Sequence, residues 1–330
     1  MSLATKFRPK CWADVIGQNA VVSILSRQIA TKSWKNVYLF TGSFGCGKTT
    51  CARIFANEIN NGEGTPIEID AASNNGVDNI RNLIAEAQQS ALDCDYKVVI
   101  LDEVHMLTTQ AWNAALKIVE EPPRNTVFIF CTTNPEKIPQ TILSRVQRFD
   151  FKRVSFSEIA DRLEFIMNEE VDNGEFERTA LERIAIASDG HVRDAIQFLE
   201  KCLDVTNNIT IEIVDTVLGL TKSDTLINII NSVSEKNLEN CIKEVENLKS
   251  SDADMVKAFD SLYSFSIDCA ILSNTNNISY TTLPRDYKDK LNLVKPQVNL
   301  LMSRLAKFRS FINQSNAESF IKTVLVEVCE

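Results

Sequence analysis

Between residues 37 and 152 the chain alternates short apolar runs with amphipathic stretches. VYLF (37–40), IEID (67–70), VVIL (98–101), VFIF (127–130) and FDF (149–151) read as strands, with helical patterns between most of them. That alternation predicts a parallel sheet with helices on its faces. Residues 157–204 contain no convincing strand and predict a small helical bundle. From Ile209 the period is helical to the end. Leu226, Ile229, Ile230 and Val233 share one face, as do Leu238, Ile242, Val245 and Leu248. The polar segment 273–298, with two prolines, reads as a long inter-helix connection, and the last helix carries Leu301, Leu305, Phe308 and Ile312.

At 330 residues the chain predicts two or three domains. Its 44% apolar and 24% charged content is that of an ordinary globular protein. No run of 18 apolar residues occurs, and the N-terminus MSLATKFRPKCW lacks the apolar stretch of a signal peptide, which predicts a cytoplasmic protein with no membrane partner. The nine cysteines (11, 46, 51, 94, 131, 202, 241, 269 and 329) form no CxxC pair, and only His105 and His191 accompany them. Neither a disulfide framework nor a zinc site has the spacing it needs, so most of these thiols read as small core residues. The net charge of −9 is uneven. Residues 1–152 carry 16 Lys/Arg against 15 Asp/Glu, and the remainder 19 against 29, so a phosphate-binding surface fits the N-terminal half.

The chemistry concentrates after the first strand. Gly42-Ser43-Phe44-Gly45-Cys46-Gly47-Lys48-Thr49 matches GxxxxGK[ST], follows VYLFT, and precedes the helical pattern TTCARIFANEI. In a P-loop the glycines let backbone N–H groups wrap a β-phosphate, a lysine here at Lys48 reaches the β- and γ-phosphates, and Thr49 ligates Mg²⁺. The alternative is a glycine-rich turn with no ligand. Asp102 and Glu103 end the apolar run KVVIL, at the strand tip where ligands bind in open α/β sheets. Asp102 is expected to hold Mg²⁺ through water, and Glu103 to orient and polarise the attacking water. Cys46 reads as a filler rather than a nucleophile, with some sensitivity to oxidation.

Seven stretches in order resemble one family: KFRPKCWADVIGQ (6–18), GSFGCGKTT, IEIDAASNNGVDNIR (67–81), LDEVHML, KIVEEPP (117–123), TTNPEKIPQTILSRVQRFDF (132–151) and GHVRDA (190–195). The family is the gamma/tau-type ATPase subunit of the bacterial DNA polymerase III clamp loader, within the AAA+ superfamily. The resemblance covers about the first 200 residues. It implies that Arg8 and Pro9, with Val15 and Ile16, enclose the adenine, and that residues 42–50, Thr50 included, hold the phosphates. It also implies that Thr133 is sensor 1, with Asn134 the neighbouring candidate, and that Arg193 is sensor 2 on the helical lid. Arg145 matches the family's arginine finger, which acts on the ATP of a neighbouring subunit. Val146 stands where the family has cysteine. The family's four-cysteine zinc module is replaced by NNGEGT (60–65), so no zinc is expected.

DNA is the other implied ligand. Ser73, Asn74 and Asn75 open a helix and can present backbone N–H groups to phosphate, with Arg81 two turns on. Plain N-capping by Ser73 or Asn75 is the competing reading. Thr108 and Thr109 are likewise open between capping a helix, approaching phosphate, or both.

The expectation is therefore an α/β AAA+ P-loop parallel-sheet domain (1–153), a helical lid (154–205) and an all-α oligomerisation collar (206–330). The resemblance implies a subunit that binds ATP and Mg²⁺ and assembles as a homo- or hetero-oligomer, pentameric in form. It would open a sliding clamp and place it on primer–template DNA. Two rivals remain: a translocating motor of the Holliday-junction type, which calls for a winged helix after residue 209, and a non-catalytic structural subunit.

Overall fold

A computed structural model describes residues 1–87, 89, 94–171, 175–250, 254–283 and 287–330. Five parallel strands, β1 (Val37–Thr41), β2 (Ile67–Asp70), β3 (Lys97–Asp102), β4 (Thr126–Thr132) and β5 (Gln147–Asp150), lie in the order β2-β3-β4-β1-β5. Every residue of β1 and β4 is buried, which is why their sequences are unbroken apolar runs. Edge strand β2 alternates half-buried and exposed positions. β5, the other edge, begins two residues earlier than its aromatic pair suggested, because Gln147 and Arg148 need satisfy only one neighbour.

The two-residue period assigns each strand residue to one of two cores. Leu39, Val99, Leu101, Phe128 and Phe130 pack against the helices Val77–Ala87 and Thr109–Glu120. Tyr38, Phe40, Ile100, Ile129 and Cys131 face the helices Asn19–Ala30 and Lys48–Ile59. None of the nine cysteines is in a disulfide; six are buried, and burial pushes the Cys51 thiol up to about 12. Among the described residues no helix is long and apolar enough to cross a membrane.

The chain divides into two compact units, Met1–Asn173 with Ile184–Glu200, and Gly174–Arg183 with Lys201–Glu330. In the first, Ser155 and Glu158 form a reciprocal capping box that starts the helix Phe156–Glu170. In the second, five helices surround one core: Ser223–Ser234, Leu238–Ser250, Met255–Thr275, Lys295–Phe308 and Ala317–Cys329. Leu226, Ile229, Ile230 and Val233 are buried there as their spacing predicts, whereas Cys241 takes the buried place expected of Ile242.

Three sequence expectations need correction. A short parallel pair forms between β6 (Glu175–Phe176), which falls inside the stretch 157–204 expected to hold no strand, and β7 (Asn208–Ile209), which ends where the helical period begins. Two residues are too few for a period to register. The connection expected over 273–298 is shorter, because helices extend into it at both ends and a turn, Tyr287–Lys290, interrupts it. Residues 172–174 and 284–286 of these stretches lie outside the described residues. The helix carrying Leu301 stops at Phe308, so Ile312 lies beyond it, and a further helix, Ala317–Cys329, follows.

The core of the second unit sets a stability test. Phe259 is fully buried, so Phe259→Ala should cost about 3–5 kcal/mol of unfolding free energy. Phe311 is 66% exposed, and Phe311→Ala should stay within about 0.5 kcal/mol. Urea denaturation followed by circular dichroism would measure both, and equal losses would contradict this core assignment.

Candidate functional site

The C-terminal ends of β1, β3 and β4 converge because the sheet register brings Thr41 level with Thr132 and Leu101 level with Phe130. Gly42 leaves β1 while its N–H donates to the Thr132 carbonyl at 3.2 Å. A Cβ on Gly42 would stand 2.5 Å from the Phe151 carbonyl oxygen, so only glycine passes there. Gly47 (φ 100°) turns the chain in the left-handed region and directs Lys48–Ile59 into a helix whose first N–H groups face the loop. Lys48 is buried, and its ammonium donates to the carbonyls of Gly42 and Ser43 at 2.9 and 2.8 Å. The Cys46 thiol donates to the Ser43 carbonyl and burial raises its pKa, so it is held as a thiol rather than a thiolate.

Thr49 Oγ1 donates to Asp102 Oδ2 at 2.6 Å. Asp102 Oδ1 accepts the Glu103 N–H at 2.9 Å, which fixes the carboxylate plane. The two residues expected to hold Mg²⁺ thus present adjacent hard oxygens, a set that fits an ion completing its shell with water and phosphate. No group of three or more His, Cys, Asp or Glu side chains able to hold a metal gathers among the described residues. Glu103 has φ 50°, an uncommon backbone for a non-glycine residue. Its Oε2 accepts from Thr133 Oγ1 at 3.2 Å.

These groups line one cavity of about 410 Å³, within the range of small-molecule sites. Its lining includes the apolar side chains of Phe7, Pro9, Val15, Ile16 and Ile196. It also includes Arg8, residues 44–50, Asp102, Glu103 and Arg193. A side chain at Gly45 would come within 3.4 Å of the Cβ atoms of His191 and Arg193, so the loop runs directly beside the latter. Burial, and then the charges of Arg53 and Arg193, pull the Arg8 guanidinium below its usual range. Cations gathered this closely repel one another and fit a polyanion.

Other expected residues stand elsewhere. Thr133 lies just past β4, does not line the cavity, and shares its hydroxyl with Asn134 Oδ1 at 2.9 Å. Ser73 Oγ and Asn74 Nδ2 both donate to Asp70, and the next helix begins only at Val77, so neither Ser73 nor Asn75 stands at its cap. Thr108 does cap Thr109–Glu120, accepting the Ala111 N–H, and its own N–H donates to Asn75 O at 3.3 Å. The starts of these two helices are therefore tied together. Arg81 is exposed and pairs with Asp78. Arg145 lies two residues before β5, level with Asn36, which places it roughly 20 Å along the strand direction from Gly42. There it pairs with Glu120 at 3.0 Å.

Gln18 was not singled out by its residue type. Its buried amide donates to the carbonyls of Cys46 and Lys152 and accepts from the Lys152 N–H, pinning the P-loop to the end of the sheet. Partners 28 and 134 residues away leave no local signal.

Residues 62–155 match the family model described as DNA polymerase III, delta subunit. DNA polymerase III subunit tau of Bacillus subtilis is 37% identical over 78% of this chain and 49% of its own length. DNA polymerase III subunit gamma of Buchnera aphidicola (subsp. Baizongia pistaciae) is 35% identical over 73% of this chain and 70% of its own length. The chain spans about half or less of the first tau and tau/gamma relatives it matches. Among solved structures, the RuvB Holliday junction branch migration motor of Thermotoga maritima superposes with a TM-score of 0.55, covering 69% of this chain and 80% of that one. At 21% identity that likeness speaks for the AAA+ fold alone. A P-loop seated between β1 and β4, with relatives of this identity and coverage, leads to one assignment: the chain belongs to the gamma/tau family of DNA polymerase III subunits.

Proposed function

We propose that this chain is an ATP-hydrolysing subunit of an assembly that places a sliding clamp on primer–template DNA. The observation that carries the reading is the cavity that Lys48, Thr49, Asp102, Glu103 and Arg193 line together with the apolar side chains of Pro9, Val15 and Ile16. Adenine would lie between Pro9, Val15 and Ile16, near Arg8. The phosphates would follow residues 42–50, with the Lys48 ammonium exchanging its loop carbonyls for the β- and γ-oxygens. Thr49 and Asp102 would hold Mg²⁺, which when bound neutralises developing phosphate charge. Glu103 takes up the proton of the attacking water, and Thr133 holds that carboxylate in place. Arg193 would then report the presence of a γ-phosphate to the lid, residues 154–205.

Arg145 completes the site of a neighbour rather than its own. Its position at the opposite end of β1 from the P-loop supports this, because no rotamer spans roughly 20 Å. The collar, residues 206–330, would hold the subunits in the homo- or hetero-oligomer. The starts of the helices Val77–Ala87 and Thr109–Glu120, linked through Asn75 and Thr108, with Ser73, Asn74 and Arg81 nearby in sequence, would face DNA phosphates. A Holliday-junction motor shares the fold but calls for a winged helix in the C-terminal region. The described residues 211–330 form helices and turns instead.

Two measurements test the chemistry. Glu103→Gln should keep nucleotide binding and lose ATP turnover by at least about a hundredfold, while Lys48→Ala should lose nucleotide affinity. Steady-state turnover with equilibrium binding separates them, and equal turnover by wild type and Glu103→Gln would refute the assignment. Arg145→Ala should bind ATP normally yet lose about 10³-fold or more in turnover as a pure assembly. Mixed with Lys48→Ala chains it should regain partial activity, since those chains donate a finger to intact sites. No recovery in a demonstrated mixed assembly would contradict action in trans.

A further inference from the structure

We infer that Arg162 is a positioning residue for nucleotide binding, holding residues 3–9 so that Arg8 and Pro9 face the base; this rests on the base lying between Pro9, Val15 and Ile16. Arg162 does not line the cavity itself, whereas Ala4, Phe7, Arg8 and Pro9 do. Its Nη2 donates to the Phe7 carbonyl at 2.9 Å. That carbonyl follows the short helical turn Leu3–Lys6, and the last carbonyls of a helix have no N–H partner within it. Arg162 and Phe165 are three residues apart on the helix Phe156–Glu170 and share a face. The guanidinium sits over the Phe165 ring, 4.9 Å from its centroid, and the Phe7 ring meets Phe165 edge-on at 6.4 Å. Burial pulls the Arg162 guanidinium below its usual range, with the charge of Asp14 opposing.

Asp14 closes the turn Trp12–Asp14, immediately before Val15 and Ile16. Arg162 thus bears on both ends of the chain between Phe7 and Asp14, and the residues expected to enclose the base lie within or beside that stretch. The segment needs such a hold, because Arg53 and Arg193 repel the Arg8 guanidinium. Arg162 fixes the backbone one residue before it. Further back, the Leu3 N–H donates to Glu200 Oε1 at 2.9 Å, and Lys6 pairs with Glu170. The Lys6 side chain is half exposed, so its pair contributes little. The Arg162 bond is part-buried, charge-assisted and adjacent to Arg8, so it governs where Arg8 and Pro9 stand.

Two competing roles are a contact that serves the fold alone and a remote cation that attracts the phosphates through solvent. Salt separates the second, because long-range attraction is largely screened at about 0.5 M while a part-buried hydrogen bond is not. In the purified full chain, in its natural assembly state, kcat, KM and affinity for a non-hydrolysable ATP analogue are measured for wild type, Arg162→Met, Phe165→Ala and Ile16→Ala, at about 0.1 and 0.5 M salt. Arg162→Met keeps the stem and loses the donor. It should raise KM and weaken analogue binding about tenfold relative to wild type at both salt concentrations, with kcat at saturating ATP within about twofold. Phe165→Ala, which removes the ring beneath the guanidinium, should weaken analogue binding about threefold. Ile16→Ala should weaken it about fivefold or more by removing apolar contact with the base. With Ile16→Ala weakened, three results for Arg162→Met would each overturn the inference: analogue affinity within about twofold of wild type, a loss that vanishes at the higher salt, or a fall in kcat as large as the rise in KM. If Arg162→Met does not fold, Phe165→Ala decides the question, and unchanged analogue affinity there overturns the inference. Unchanged affinity in Ile16→Ala would instead overturn the placement of the base, and the role of Arg162 with it.

Discussion

The 2.6 Å hydrogen bond between Thr49 and Asp102 constrains the rest of the first unit. Thr49 belongs to the helix after β1 and Asp102 ends β3, and β4 lies between these strands. The contact forms only if the register of both strand pairs is correct to one residue. A slip in parallel pairing would shift a strand by about 3.3 Å and reverse its faces, separating the oxygens and exposing the apolar runs together. Burial of Phe40, Ile100, Ile129 and Phe130 fixes that register, and the site inherits its geometry from the core.

A second constraint is electrostatic. Lys48, Arg8 and Arg193 line the cavity, and Arg53 adds its charge beside Arg8. Glu68 takes up Arg53, and loop carbonyls take up the lysine. Such a cluster costs free energy without an anion, so binding of a polyphosphate is favoured where the partners can exchange. Arg145 follows the same logic at the other end of the sheet. Its pair with Glu120 is 41% and 49% exposed, and exposed pairs contribute at most about 1 kcal/mol. Such a pair exchanges its partner cheaply, as the proposed action of Arg145 on a neighbour's phosphates requires.

The legible parts of this chain were those whose partners are near in sequence. The P-loop and the Asp102-Glu103 pair each adjoin an unbroken apolar strand, so residue type and element together identify them. Arg8, Arg145 and Arg193 carry no local pattern, and only the resemblance singled them out. The structure sets Arg193 beside Gly45 and Arg145 far from the loop. Gln18 stood inside a quoted motif yet had no role, because its partners become neighbours only through folding. The competing reading of Ser73 or Asn75 as an N-cap fails for a related reason. Asp70, three residues back, offers Ser73 a carboxylate, and Asn74 bonds the Asp70 carbonyl, so the helix starts later. In the helical unit, Leu226 and Val233 were read correctly from spacing, while the end of the helix at Phe308 has no capping residue to mark it.

The central claim is that one cavity couples nucleotide turnover to a clamp and to primed DNA. The most direct measurement is steady-state ATP hydrolysis by the assembled protein with sliding clamp, with primed DNA, with both, and with a Holliday junction. The account predicts a rate with clamp and primed DNA together well above the sum of the separate stimulations. Strong stimulation by the junction without any clamp, with no synergy between clamp and primed DNA, would contradict it.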